Sequence, residues 1–166
     1  PPRPVVITFD DGNESVYIHA FPIMERYGFV GTFYLVANRV DRNKFVNREQ
    51  MRTMLDAGWE IGSHSLTHAD LTQDIGVLRS EVWESGQILS EAFDTPVTSF
   101  AYPFGVINPF VVERTERYGY RAAVGLGTSF QHDLTDLFYL ARIEIRNEYD
   151  LNRFVSLLPW QSAVGE

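Results

Sequence analysis

A chain of 166 residues with 14 Lys+Arg against 22 Asp+Glu, a net charge of −8 with His neutral, has the size of one domain. Its 45% hydrophobic and 14% aromatic content supplies a core at this length, which excludes disorder as the dominant state. The acidic balance and the single lysine, Lys44, exclude a phosphate-tracking nucleic-acid surface, and the lack of cysteine excludes disulfides, thiolate metal sites and cysteine nucleophiles.

In chain order, Val5-Val6-Ile7-Thr8-Phe9 is a β-branched run that predicts a buried strand, stopped abruptly by Asp10-Asp11-Gly12. A helix through Ile23, Met24 and Tyr27 closes at Gly28, and a second strand is expected from Phe29 to Val36. The Arg39 to Arg52 segment, with Asp41, Asn43, Asn47 and Glu49 interleaved, reads as a solvated face. Asn47 with Gln50 three residues on predicts a capped helix carrying Met51, Met54 and Leu55, ended by Gly58. Trp59 to Gly62 is a third strand. Ile75, Leu78, Val82, Leu89 and Phe93 recur at helical spacing ahead of Pro96, and Val97 to Ala101 is a fourth strand. Asn108-Pro109 opens a helix that stops at Gly119. Strands at Tyr120 to Val124 and Phe138 to Ile145 precede a last helix capped by Asp150 and ended by Pro159. No uninterrupted apolar run approaches the ~20 residues that cross a bilayer. A chain starting at Pro1 is expected to be a trimmed or mature form.

Repeated βα units with short connections predict parallel strands, each covered by a helix, in a barrel-like α/β fold of one domain. In such barrels the chemistry sits at the C-terminal ends of the strands. Asp10-Asp11 ends the first strand, Ser63 to His68 the third, and Tyr102 to Gly105 the fourth, so all three fall on one rim. His64 and His68, four residues apart, point to one side of a helical turn and could share a cation. The adjacent carboxylates divide economically into one ligand and one base. Two imidazoles and a carboxylate with an open position make a catalytic metal site, where a bound water would be acidified toward a pKa of ~7. Read blandly, the histidines are surface residues and Asp10-Asp11-Gly12 only a turn.

Thr8-Phe9-Asp10-Asp11-Gly12, Gly31-Thr32-Phe33-Tyr34 and Glu60-Ile61-Gly62-Ser63-His64-Ser65-Leu66-Thr67-His68 resemble the motifs of the polysaccharide deacetylase (NodB-like) domain, carbohydrate esterase family four. That resemblance implies a distorted (β/α) barrel spanning residues 1–166 as one catalytic domain, and one divalent metal ion, zinc first with cobalt or nickel as alternatives, held by Asp11, His64 and His68. It implies Asp10 as catalytic base and the backbone N–H of Phe104, after Pro103, as oxyanion donor. The substrate implied is an acetylated polysaccharide or oligosaccharide met outside the cytoplasm. Tyr102, Pro103 and Phe104 are expected to line the sugar site, Tyr102 and Phe104 as aromatic walls. Acetylxylan esterase, a cyclic-amide amidohydrolase on the same fold, and a metal-retaining glycan binder without activity are the alternatives. A two-His-one-Asp site could also serve iron oxygenase chemistry, though such enzymes are usually all-β.

The chain departs from the family pattern in three places. Ala101 stands where the third motif begins with a base-bracing Arg, no Asp-and-Trp element occurs in Arg121 to Thr128, and no His follows His132. For the first gap, Arg142 shares a strand face with residues 138, 140 and 144, beside mostly apolar neighbours. A buried guanidinium needs a carboxylate, so Arg142 either reaches Asp10 in the barrel interior or lies on the outer face against Glu144 or a helix. For the missing general acid, His132 in the Ser129 to Asp133 connection is a candidate, with a water or the protonated base returning its proton as the alternative. His19 reads as a helical residue without a role.

Overall fold

The computed structural model describes residues 4–159. Six parallel strands, β1 (Thr8–Phe9), β2 (Thr32–Leu35), β3 (Glu60–Ser63), β4 (Ser99–Ala101), β5 (Ala122–Leu126) and β6 (Leu140–Arg142), form one sheet in sequential order. The helices are α1 (Phe21–Arg26), α2 (Arg48–Asp56), α3 (Ser85–Phe93), α4 (Pro109–Arg117) and α5 (Leu151–Ser156). Two of them are entered through π-helical segments, Val16–Ala20 before α1 and Arg79–Glu84 before α3. The expected distorted barrel is therefore a curled half-barrel. Its edges β1 and β6 do not share a ladder, but the Arg142 side chain crosses between them, donating to Thr8 Oγ1 at 3.0 Å. Among the described residues no helix is long and apolar enough to cross a membrane.

Alternation along the strands sorts the core into layers. Phe33, Leu35 and Ile61 point outward into a cluster with Met24, Met51, Met54, Trp59 and Leu89, while Phe100, Val111, Tyr120 and Ala123 build a second one with Leu78 and Val82. Tyr34, Ala101 and Val124 face the other way, into the curl, with Leu140 packed on them. Gly62 lies opposite Tyr34 in the register, and a Cβ there would overlap the Tyr34 ring. That glycine is what lets the ring lie flat inside the sheet.

Helix ends follow the side-chain chemistry. Asn47 and Gln50 form a reciprocal capping box on α2, Asn108 accepts from Val111 N on α4, and Asp150 accepts from Arg153 N on α5. Strand lengths differ from expectation. Only Thr8 and Phe9 of the Val5 to Phe9 run pair, and Val5 and Val6 are exposed, because β1 is an edge whose one neighbour enters the sheet at Thr32. The Phe138 to Ile145 strand shortens to Leu140–Arg142, the residues matched by β5. His64 and His68 are not on a helical turn. They belong to an irregular loop after β3 in which Ser65 (φ 68°) and His68 (φ 71°) are left-handed.

Candidate active site

Where β1 ends, Asp11 (φ 71°) and Gly12 (φ 78°) are consecutive left-handed residues, a sharp reversal that glycine meets without a side-chain clash. The reversal sends the neighbouring carboxylates to different partners. Asp10 accepts two hydrogen bonds from Arg142, Nη1 to Oδ1 and Nη2 to Oδ2, both at 2.7 Å. Arg142 is itself held by its Nε donating to Gly125 O at 3.1 Å, and its guanidinium lies 5.4 Å from the centre of the Tyr34 ring. A bidentate, part-buried pair of this kind fixes the orientation of a carboxylate. Asp11 turns instead toward His68 Nε2, 3.4 Å from its Oδ1, and accepts from Arg39 Nη1 at 3.0 Å.

His64 and His68 face each other at 4.8 Å between ring centres. His64 is buried, and its Nδ1 lies 2.8 Å from the Ala101 carbonyl, which can only accept. Nδ1 is therefore the protonated nitrogen and Nε2 keeps its lone pair for the site. Burial also pushes the His64 imidazole below its ordinary pKa, which favours the neutral, ligating form. Asp11, His64 and His68 each offer a ligand atom, and these atoms lie within 4.8 Å of one another. Two neutral imidazoles and a carboxylate are a donor set that suits a divalent metal ion with an open position. Asp10 stands beside the cluster, 3.9 Å from His64 Nε2, with both oxygens engaged by Arg142.

The loop after β4 brings in the third rim segment. Phe104 is left-handed (φ 60°), a costly conformation for an aromatic residue, and its ring is exposed and edge-on to His68 at 4.5 Å. Among the described residues its N–H has no hydrogen-bond partner. Of the seven non-glycine residues with positive φ among the described residues, Asp11, Ser65, His68 and Phe104 lie in these three loops, the clustering expected where strain serves a site.

Three expected site residues stand elsewhere. Tyr102 is fully buried between Phe100 and Tyr139, donates to Phe138 O at 2.9 Å, and has a phenol pushed up to about 12 by burial, so it offers no wall to a sugar. Pro103 is buried as well. His132 sits 3.8 Å from Asp136, in the turn leading to the N-terminal end of β6, and among the described residues it contacts no member of the cluster. Arg39, read as part of a solvated face, reaches Asp11, its guanidinium also stacked near Phe45 at 5.2 Å. No local signal pointed to it, since the two residues are 28 positions apart.

The polysaccharide deacetylase family model matches residues 1–123. The chain is 30% identical over 124 residues to the Bacillus subtilis (strain 168) protein YxkH, covering 72% of this chain and 43% of that one. It is 25% identical over 163 residues to a poly-β-1,6-N-acetyl-D-glucosamine N-deacetylase of Staphylococcus epidermidis, covering 89% and 56%. The chain thus spans about half the length of these relatives. Among solved structures, a Bacillus cereus polysaccharide deacetylase superposes with a TM-score of 0.84 at 26% identity, covering 93% of this chain and 51% of that one. The Streptococcus pyogenes deacetylase PplD, solved with acetate, gives 0.85 at 24% identity, covering 92% and 69%, a likeness of fold.

Proposed function

Because the chain belongs to the polysaccharide deacetylase family, we propose that it hydrolyses the acetamide of an N-acetylated glycan, with one divalent metal ion held by Asp11, His64 and His68. The observation that carries this reading is the three-ligand cluster with a separate, clamped carboxylate beside it. Zinc is the first choice for two imidazoles and a carboxylate, with cobalt or nickel as alternatives. When bound, the ion would supply Lewis acidity to the acetyl carbonyl and lower the pKa of a water.

The chain's own groups do the rest. Asp10 takes the proton of the attacking water, and Arg142 keeps both carboxylate oxygens in register for that transfer. Arg142 lies against the Tyr34 ring and reaches Asp10, standing in for the Arg absent from the third motif. The Phe104 N–H donates to the oxygen that becomes negative, a backbone donor held in place by the strained turn. Its exposed ring offers one wall to a sugar. The proton that leaves with the amine returns from Asp10, which needs no contribution from His132.

The polymer of β-1,6-linked N-acetylglucosamine is the substrate favoured by the relatives that align over most of this chain, and an extracytoplasmic location goes with that substrate. The test is acetate release from β-1,6-linked, chitin-type and peptidoglycan oligomers and from acetylxylan, before and after chelation and with single metals restored. Release from the β-1,6 oligomer that is abolished by chelator and restored by zinc is expected. Release indifferent to chelation, or confined to acetylxylan, would contradict the reading.

A further inference from the structure

His64 and His68 are oriented by different means. The His64 ring is tied by a hydrogen bond to Ala101 O, whereas the His68 ring meets Asp11 at 3.4 Å and the rings of His64 and Phe104, and among the described residues no second-side hydrogen bond of this kind is found for it. His68 is therefore placed by its backbone, and that backbone is strained at both Ser65 and His68. A strained loop persists only where its surroundings over-determine it. On one side Ala37 N and Asn38 N donate to Ser65 O and Leu66 O at 3.0 and 3.1 Å. On the other side stands Glu81.

Glu81 is buried, 5% exposed, and no cation among the described residues pairs with it. Its carboxylate is instead filled by the loop. Oε2 accepts from Leu66 N at 3.1 Å and Thr67 N at 2.9 Å, and Oε1 accepts from Thr67 Oγ1 at 2.7 Å. These donors are the two residues between Ser65 and His68. The segment that carries Glu81, Arg79–Glu84, is wound as a π-helix and is itself braced. Ser85 Oγ donates to Glu81 O at 2.7 Å and meets Ser63 Oγ at 2.7 Å, and Tyr120 Oη donates to Val82 O at 2.7 Å. A buried carboxylate without a cation is expensive unless its lone pairs are matched by fixed donors, and here all the donors found belong to the histidine loop.

We propose that Glu81 is a positioning residue for the metal centre, setting His68 against His64 and Asp11 through Leu66 and Thr67. This rests on the reading of Asp11, His64 and His68 as metal ligands. The role depends on the reach of the side chain, because the acceptor must meet two backbone N–H groups at once. Partners outside the ligand sphere typically govern 10- to 100-fold of metal affinity.

The test measures zinc affinity by competition against a chromophoric chelator, and the visible spectrum of the cobalt-loaded protein, in three variants. Glu81→Asp keeps the charge but is one methylene short, Glu81→Gln keeps the reach and an acceptor oxygen, and Glu81→Ala removes both. A loss of 10- to 100-fold in affinity with an altered cobalt spectrum is expected for Asp and Ala, with Gln close to the parent. The Asp and Gln pair decides the matter even where Ala fails to fold. Parent-like affinity in Glu81→Asp, or a loss in Glu81→Gln as large as in Glu81→Asp, would overturn the proposal. A parent protein that binds no zinc would instead overturn the metal reading, and this proposal with it.

Discussion

The chain up to Gly125 and the chain after it contribute to the site in opposite ways. Up to Gly125 the strands are backed by two clusters of buried side chains, and all three candidate ligands, the Phe104 loop and the Ala101 carbonyl belong to this packed body. From Leu126 to Pro159 no described residue is buried, and the family model ends at 123. Yet that lightly packed region delivers Arg142, whose side chain spans the open seam of the sheet to Thr8 and Asp10. Holding a metal centre takes loops on a rigid core. Orienting Asp10, the proposed base, takes one long side chain on an edge strand, anchored at Gly125 O where the packed body ends.

Stability should separate the two regions most widely. Phe100→Ala, deleting a fully buried ring at the centre of the second cluster, should cost ~3–5 kcal/mol in chemical denaturation. Leu134→Ala, at 87% exposure beyond β5, should stay within about 0.5 kcal/mol. Comparable losses would erase the contrast. Catalysis should separate them in the other direction. Arg142→Met should lower kcat by about 10²-fold, the cost of a misplaced reacting group, while zinc affinity holds. Arg142→Lys should recover little, because an ammonium cannot make the bidentate contact. Loss of zinc in Arg142→Met would mean that the seam also supports the ligands. At the small end, His132→Gln should leave acetate release from an amide substrate at the parental rate, and a selective loss on the amide would restore the acid role to that loop.

What was legible in the sequence was what local chemistry dictates. Asn47, Asn108 and Asp150 announce helix starts because a cap needs only its own next three residues. The three rim segments were legible because a strand followed by a helix puts its end on one face. Strand lengths were not, since pairing at β1 and β6 depends on what the neighbour offers. Spacing alone put His64 and His68 on a helical turn, and two left-handed residues, invisible to periodicity, bring them together on a loop instead. Tyr102 and Phe104, two positions apart, look equivalent as aromatic walls. The fold buries one and exposes the other. Arg39 lies too far along the chain from Asp11 to be matched to it, whereas Glu81 did leave a sign, a charge within the apolar stripe of Leu78, Val82 and Leu89.

The central claim is that two adjacent aspartates do different work, Asp11 in the ligand set and Asp10 as the base clamped by Arg142. Zinc stoichiometry and acetate release, measured together on Asp10→Asn and Asp11→Asn, test it directly. Asp10→Asn should keep its zinc while turnover falls by ~10²–10⁴, the usual worth of a positioned general base, and Asp11→Asn should lose the metal. Equal zinc loss in both variants, or parental turnover in Asp10→Asn, would contradict the division.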